Sequence, residues 1–455
     1  MSASVIDSRL FRDQFGTEAM RRIFSDENVV QKWLDVEAAL AKVEAELGVI
    51  PEKAAAEIRK KAKVELYDLD AMKKEMDRTS HPIVPLLRAI KDVCDGDAGE
   101  YVHWGATTQD IMDTGTVLQI REALDEIEPN LRKMINLAAD LARKHRSTVM
   151  AARSHGQQAL PITFGFKVAG WAAELNRNLE RFVEMRKRVL IGQFSGAVGT
   201  LAALGKDGDG VQSGLMKELG LVNPVITWHT SRDSMAEITC VLAMCVASIG
   251  KIAHEIYSLQ KTEVAELEEP FSTGKVGSST MPHKRNPPTC EGIVAIARVV
   301  RGIVPLAIEG VMAEHERDKV VLQVEREYTT RLFSLTDAAV KKMNYVLAGL
   351  TVRPANMRRN LDIQKGLLMS EPVMFALGHK LGRQAAHELV YEICMEVFTE
   401  DGSLREGLLK NKEIASQISE AELDAMLDPS SYLGMAETFV DRVLASLDGW
   451  PRNHQ

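Results

Sequence analysis

The sequence predicts an all-α protein. Aromatic residues make up only 5% of the 455 residues, whereas Leu, Ala, Met, Glu and Lys are plentiful, and this composition favours helix over sheet. Apolar residues also recur at helical spacing over long stretches. Between residues 234 and 262 they fall on one stripe, which includes Ile238, Leu242, Val246 and Ile249. A helix of about 30 residues is roughly 45 Å long, and several such helices side by side predict an elongated bundle.

Composition and charge narrow the classes of function. The chain is 45% hydrophobic and 26% charged, with a formal net charge of -8, so neither nucleic acid nor a membrane is expected as a partner. The five cysteines show no CxxC pairing, which indicates reduced thiols in a cytoplasmic protein and argues against a metal site. The N-terminus lacks the apolar segment of a signal peptide, and the most apolar run, 238–250, is too short to cross a bilayer.

We predict three helical domains. Residues 1–110 are rich in helix but interrupted; Ser25 begins a capping sequence for a helix through about Leu47. Residues 111–352 carry the long helical patterns, which cover 116–145, 162–195, 234–262, 289–313 and 322–348. Residues 353–455 have shorter periodicity and form a small helical domain.

The stretch 271–288, FSTGKVGSSTMPHKRNPP, joins a glycine-rich half to a cationic half. Gly274 and Gly277 allow the main chain to approach a ligand closely, and three prolines rule out a continuous helix. Hydroxyl, ammonium, guanidinium and amide donors gather within a few positions, which suits a loop that closes over a carboxylate or phosphate. A solvated basic loop is the alternative.

Part of this stretch, GSSTMPHKRNP from Gly277 to Pro287, resembles the signature loop of the fumarase/aspartase superfamily. That superfamily includes adenylosuccinate lyase, argininosuccinate lyase and 3-carboxy-cis,cis-muconate cycloisomerase. The resemblance implies a central long-helix bundle that builds the core of a homotetramer. It also implies active sites shared between subunits and a lyase reaction on a small dicarboxylate or substituted succinate.

Two polar clusters near the N-terminus extend the resemblance. His81 lies in RTSHPIVPL, where adenylosuccinate lyases carry a ligand-binding histidine; an ordinary loop histidine is the alternative. Thr107 and Thr108 lie in YVHWGATTQD, directly before a long helical pattern. Amides and hydroxyls at a helix start suit a carboxylate, although they also make a plain helix cap. The resembled lyases have GxTSxD here and use its hydroxyls to hold the substrate's dicarboxylate end.

A third cluster, AARSHGQQALPITFG, spans residues 151–165. We expect a polar loop here, ended by Pro161, which can begin the next helix. His155 matches the RTHG of adenylosuccinate lyases, whose histidine acts as general acid on the leaving group, and Glu291 matches that histidine's carboxylate partner. Gln157 is a candidate substrate ligand in the same cluster. A surface histidine is the alternative.

Two further clusters, WHTSRD and EHERD, offer Arg232 and Arg317 as substrate ligands. Salt bridges at helix ends would explain both equally well.

The mechanism that the resemblance implies is anti β-elimination. Abstraction of a proton beside a carboxylate gives a dianion, which needs preorganised positive charge and N–H donors. Ser278 corresponds to the base, and His155 with Glu291 would protonate the leaving group. The substrate ligands implied in the loop are Ser279, Met281, Lys284 and Asn286. Neither a cofactor nor a metal is expected.

The branch within the superfamily is harder to assign. WHTSRD, MRRNLD and LDPSSYLG resemble the carboxymuconate cycloisomerases, whereas His155 and Glu291 resemble adenylosuccinate lyases. The arginine with which adenylosuccinate lyases bind phosphate is replaced by Pro372, which weakens the case for AMP as leaving group. We therefore predict release of fumarate from a substituted succinate, and cleavage of a C–N bond is the reaction that we put first. A cycloisomerase and a non-catalytic, crystallin-like structural protein are the alternatives.

Overall fold

The computed structural model describes residues 4–271, 274, 277–400 and 402–448. Within the predicted loop, residues 272, 273, 275 and 276 lie outside the described residues. The first helices are α1 (Arg12–Phe15), α2 (Glu18–Ile23), α3 (Asp26–Glu46), α4 (Glu52–Lys61), α5 (Leu69–Thr79), α6 (Val84–Val93) and α7 (Thr108–Lys144).

The strands are β1 (Val149–Ser154), β2 (Gln157–Thr163), β3 (Leu267–Glu268) and β4 (Thr351–Val352). The middle helices are α8 (Phe164–Val189), α9 (Gly208–Leu219), α10 (Asp233–Leu259), α11 (Pro288–Arg301), α12 (Val304–Glu309) and α13 (Lys319–Ala348). The last helices are α14 (Pro354–Leu361), α15 (Ser370–Leu381), α16 (Arg383–Thr399), α17 (Leu404–Lys410), α18 (Lys412–Ala415), α19 (Glu420–Leu427) and α20 (Ala436–Asp448). The all-α prediction is confirmed, because among the described residues helices dominate and the strands form two short two-stranded sheets. The homotetramer and the three predicted domain boundaries stay predictions.

Contacts divide the described chain into two compact units, which differ from the predicted domains. The first unit contains residues 4–131, 178–250 and 295–341, and the second contains 132–177, 251–294 and 342–448. The core of the first unit packs the buried face of α3 against α7 and α9, through residues such as Leu40, Leu118 and Leu215. The second unit has a separate core in its C-terminal helices, around Leu377, Val390 and Leu404.

The local sequence explains where several helices begin and end. Ser25 caps α3, since its hydroxyl accepts a hydrogen bond from the amide of Asn28 at 3.2 Å; this is the predicted start. The single helix predicted over 289–313 is instead two helices, because α11 ends before Gly302 and Pro305 lies in the first turn of α12.

Helix α10 is long and apolar enough to cross a membrane by composition alone. However, 72% of its most apolar window is buried within the protein, as expected for a core helix. Its buried stripe includes the residues that the periodicity predicted.

Candidate active site

The described part of the signature loop folds back on itself. The side-chain amide of Asn286 donates a hydrogen bond to the carbonyl oxygen of Gly277 at 2.7 Å. A Cβ atom at Gly277 would lie 2.1 Å from the carbonyl oxygen of Lys284, so no larger residue fits here without moving the backbone. The two ends of the SSTMPHKR segment are therefore held together, which places Ser278 beside the cationic half of the loop.

Ser278 is held by backbone amides. Its Oγ accepts hydrogen bonds from the amide nitrogen of Met281 at 3.0 Å and from that of Thr280 at 3.3 Å. Two N–H donors directed at one hydroxyl oxygen stabilise negative charge on that oxygen. This is the environment that a serine needs in order to act as a base. Ser279 and Met281, which flank the site, are exposed.

Lys284 and Arg285 have different surroundings. The ammonium group of Lys284 is exposed and has no hydrogen bond or ion pair with the described residues. Arg285 instead anchors the loop: its guanidinium contacts Glu268 of β3 at 2.8 Å and lies 4.6 Å from the ring centre of Phe271. Of the two adjacent cations, Lys284 is therefore available to a substrate and Arg285 is already used.

Glu268 links this anchor to a second strand. Arg353, which follows β4, also forms a salt bridge with Glu268. Burial by itself raises the pKa of Glu268, but the hydrogen bonds from Arg285 and Arg353 outweigh it and hold the pKa below its ordinary value. The carboxylate is therefore ionised at neutral pH and fixes the C-terminal end of the loop. Glu269 fixes the start of α11, because it accepts hydrogen bonds from the amides of Thr289 and Cys290.

His155 lies at the tip of a β-hairpin. The prediction of a polar loop over residues 151–165 is therefore wrong. Strands β1 and β2 are antiparallel, with Ser154 paired to Gln157. His155 and Gly156 have φ angles of 52° and 76°, as in a two-residue type I′ turn. Pro161 belongs to β2 and does not begin the next helix. The turn presents the imidazole at the surface, where it is exposed, and Gln157 beside it is exposed as well.

The structure does not pair His155 with Glu291 within the chain. Glu291 lies exposed in the first turn of α11. In the part of the chain that the structure describes, neither side chain forms a hydrogen bond or an ion pair.

The hairpin is anchored beneath its tip. Arg153 forms a bidentate salt bridge with the buried Glu266, at 2.7 and 3.0 Å, and Glu266 also accepts a hydrogen bond from Asn360 at 2.8 Å. Gln158 donates to the carbonyl oxygen of Asn360 at 2.8 Å. Because both strands are tied to one buried group, the position of the turn is well defined.

Four predicted ligands of the first unit line one cavity: His81, Thr107, Thr108 and Arg317. His81 Nδ1 accepts a hydrogen bond from the amide of Val84 at 3.3 Å, and Nε2 lies 3.2 Å from Thr108 Oγ1. Burial, followed by the charges of Lys319 and His103, lowers the pKa of His81. The imidazole is therefore neutral, with its proton on Nε2 and directed at Thr108.

Thr107 is held from two sides. Its backbone amide donates to Asp110 at 3.0 Å, and its hydroxyl accepts a hydrogen bond from Arg317 at 2.9 Å. Arg317 also donates to the carbonyl oxygen of Ala197 at 2.7 Å. The EHERD arginine therefore lies beside the threonine pair, a proximity that the sequence analysis did not predict.

Arg232 has the structural role that was the alternative. Its guanidinium is 3% exposed and contacts both oxygens of Asp113, at 2.9 and 3.1 Å, together with the buried carboxylate of Glu325. All three of its nitrogens donate to these carboxylates. The prediction that Arg232 binds substrate is therefore corrected: it neutralises two buried acids.

The sequence analysis missed the central role of Asp110. This buried carboxylate accepts hydrogen bonds from the amides of Ser195 (3.0 Å), Gly196 (2.9 Å) and Thr107, and lies 2.8 Å from His229 Nε2. It therefore joins three loops that are far apart in the sequence. The sequence showed only that Asp110 belongs to the polar cluster at the start of α7.

Comparison with known proteins identifies the family of the chain. The sequence profile of the family described as "Lyase" matches residues 13–302, and the profile described as "Adenylosuccinate lyase C-terminus" matches residues 366–443. The chain therefore belongs to the lyase family of the fumarase/aspartase superfamily.

Three relatives show the range of names within the family. The chain is 43% identical over 446 residues to an N-acetyl-S-(2-succino)cysteine lyase of Enterococcus italicus, with 98% of each chain covered. It is 40% identical to an adenylosuccinate lyase of Methanocaldococcus jannaschii, with 95% of each covered. It resembles the crystal structure of the 3-carboxy-cis,cis-muconate lactonizing enzyme of Pseudomonas putida with a TM-score of 0.91 and 37% identity, covering 97% of this chain and 99% of that one.

Proposed function

We propose that this protein eliminates fumarate from a substituted succinate, with Ser278 as the base. The observation that carries the proposal is the pair of amide hydrogen bonds to Ser278 Oγ, in a loop that also presents the unpaired ammonium of Lys284. The oxygen takes a proton from the carbon beside one carboxylate. The electron pair then forms the double bond, and the bond to the leaving group breaks.

The remaining predicted ligands have complementary roles in this proposal. Thr107 and Thr108 hold the dicarboxylate end, and Lys284 stabilises the dianion. His155 at the hairpin tip protonates the leaving group. Because His155 and Glu291 are exposed and unpaired among the described residues, we propose that another subunit of a homotetramer completes their site.

We propose a thiol as the leaving group, in place of the nitrogen group that the sequence analysis put first. Two relatives named N-acetyl-S-(2-succino)cysteine lyase, 43% and 40% identical over nearly their whole lengths, support this proposal. Pro372, at the position where adenylosuccinate lyases carry a phosphate-binding arginine, is buried within α15 and offers no charge to a nucleotide. C–N cleavage of adenylosuccinate is the second candidate, supported by the archaeal relatives of that name.

A substrate panel tests the reaction class. Purified protein is incubated with N-acetyl-S-(2-succino)cysteine, adenylosuccinate, argininosuccinate and 3-carboxymuconate while fumarate formation and loss of the muconate diene are followed. The proposal predicts fumarate, with the thiol substrate giving the highest kcat/KM. Diene loss without fumarate would identify a cycloisomerase, and no reaction with any substrate would favour a structural role.

The His155→Gln variant tests the nature of the leaving group independently. A thiolate, with a thiol pKa of about 8.5, departs without protonation more readily than a nitrogen group does. The variant should therefore lose less than about tenfold in kcat with the thiol substrate, against about a hundredfold or more with adenylosuccinate if that substrate also reacts.

A further inference from the structure

Helix α16, in the C-terminal part of the second unit, is apolar on two of its faces. A helix on the surface of a soluble protein normally has one apolar stripe towards the core and a polar face towards water. The core-facing stripe of α16 is buried among the neighbouring C-terminal helices and consists of Ala386, Val390, Ile393 and Val397. A second row of large apolar side chains lies on the side that faces solvent.

This second row is formed by Tyr391, Met395 and Phe398, which we call the outer face of α16. Their exposed fractions are 58%, 42% and 73%. The spacing i, i+4 and i+7 places the three side chains on one side of the helix. His387, one turn earlier, extends the row, because its ring stacks on that of Tyr391 with the ring centres 6.5 Å apart. Exposed apolar side chains that are contiguous mark a surface that another molecule covers.

A row of carboxylates runs along one edge of the outer face. Glu388, Glu392 and Glu396 are each four residues apart, so they also line up on the helix. All three are exposed, and their carboxylates form no hydrogen bond or ion pair with the described residues. Like charges four residues apart destabilise a helix slightly. Cations brought by a partner would remove this repulsion, so the edge is suited to a basic ligand.

We infer that the outer face of α16 binds a basic amphipathic helix of a partner protein. Apolar residues of that helix, spaced i, i+3, i+4 and i+7, pack on Tyr391 and Phe398, while lysines or arginines along one flank pair with the row of glutamates. The apolar contacts supply most of the affinity, and the charges set the orientation and speed association. This interaction is separate from the elimination reaction and goes beyond it.

Charge complementarity favours this partner over the other molecules that an apolar helix face could bind. A second copy of the chain, packed antiparallel on the same face, would bring the two rows of glutamates side by side. An anionic membrane would be repelled by the same carboxylates. Only a cationic partner satisfies the apolar face and its acidic edge together.

Two synthetic peptides test the inference on the whole protein. Each has about 18 residues, to match α16, which is about 25 Å long. Both carry leucines at i, i+3, i+4 and i+7; the first has lysines along one flank, and the second has glutamates at those positions. Fluorescence anisotropy should show saturable binding of the lysine peptide that weakens as the salt concentration rises. The glutamate peptide should bind at least about tenfold more weakly.

Variants of the outer face test where the lysine peptide binds. Phe398→Ser should weaken binding at least about tenfold, because it removes the most exposed of the three apolar side chains. Replacing Glu388, Glu392 and Glu396 together by glutamine should weaken binding about tenfold and remove most of its dependence on salt.

Ile363→Ser is the matched control, since Ile363 is 60% exposed and belongs to the same unit but lies outside α16. It should leave peptide binding unchanged. The substituted side chains are all exposed, so the melting temperatures should stay close to that of the wild type.

Several outcomes would overturn the inference. These are no saturable binding of the lysine peptide, equal binding of the two peptides, or equal binding to the wild type and Phe398→Ser. Analytical ultracentrifugation that shows larger assemblies for the wild type than for Phe398→Ser would also overturn it, because a second copy would then cover the face. So would phosphatidylcholine vesicles that bind the wild type and not Phe398→Ser, because the occupant would then be lipid.

Discussion

The Oγ of Ser278 lies 3.0 Å from the backbone amide nitrogen of Met281, which donates a hydrogen bond to it. The amide of Thr280 approaches the same oxygen at 3.3 Å. Ser279, the next residue, has no such pair of amide donors among the described residues. Two adjacent serines with the same side chain therefore have different surroundings, and among the described residues only Ser278 has two backbone amides placed to stabilise an alkoxide.

Ser278→Ala should remove nearly all of the elimination activity. Loss of a positioned base costs about a hundredfold to ten-thousandfold in rate, so we expect kcat to fall by at least about a thousandfold while the melting temperature changes little. Ser279→Ala is the matched control, and its loss should be at least about tenfold smaller. Similar kcat values for the two variants would show that Ser278 is not the base.

Asp110→Asn should destabilise the first unit and weaken substrate binding. Both carboxylate oxygens of Asp110 accept hydrogen bonds. In either orientation of the asparagine side chain, its NH₂ group would therefore face an N–H donor. We expect a loss of about 2 kcal/mol in the free energy of unfolding, measured with urea, together with a higher KM because Thr107 is no longer fixed. Asp140→Asn, an exposed site on the same helix, should change stability by less than about 0.5 kcal/mol.

Glu44 should make stability depend on pH. Its side chain is fully buried on α3, and neither carboxylate oxygen has a hydrogen-bond partner among the described residues. Burial, with a smaller contribution from the charge of Glu37, raises the pKa of Glu44 from 4.5 to about 9. The folded protein thus keeps a proton that the unfolded chain releases, so this group lowers stability progressively as pH rises from about 4.5 to about 9.

Glu44→Gln should remove that pH dependence. At pH 7 the variant should be more stable than the wild type by an amount on the order of 1–3 kcal/mol, and near pH 4 the difference should vanish. Glu46→Gln, at an exposed position on the same helix, should leave the pH profile unchanged. A wild-type profile that is flat between pH 5 and about 9 would contradict the assignment.

The Arg285–Glu268 salt bridge should be coupled to catalysis. Because Arg285 anchors the end of the loop that carries Lys284, Arg285→Gln and Glu268→Gln should each lower kcat/KM about tenfold. The double variant should lose little more than Glu268→Gln alone, since that single variant already removes the salt bridge with Arg285 together with the one to Arg353. Arg285→Lys should restore part of the rate. Fully additive losses would mean that the two residues act separately.

The sequence predicted the helices better than the connections between them. Long apolar periodicity located α10 and α13 to within a few residues, because each buries one continuous stripe. The β-hairpin carrying His155 was missed, because its strands are short and polar near the tip, and Pro161 suggested a helix start. Gly302 and Pro305 separate α11 from α12. The sequence analysis missed this break because the apolar pattern continues across both residues.

The candidate site was predicted unevenly for a similar reason. The loop motif identified Ser278 and Lys284 directly, since motif residues are adjacent in the chain. Asp110 acquires its role from contacts between segments far apart in the sequence. Arg232 was proposed as a substrate ligand because the sequence did not reveal its two carboxylate partners. Asp113 and Glu325 both lie far from it along the chain.

Stereospecific labelling tests the central claim of fumarate elimination most directly. N-acetyl-S-(2-succino)cysteine is prepared in two forms, each with one deuterium at one of the two positions of the succinyl CH₂ group. The fumarate that the wild-type protein releases from each form is examined by mass spectrometry. An anti elimination by one positioned base predicts that one labelled substrate gives fumarate that keeps its single deuterium, and that the other gives unlabelled fumarate. Loss of label from both substrates alike, or no fumarate from any succinyl substrate, would contradict it.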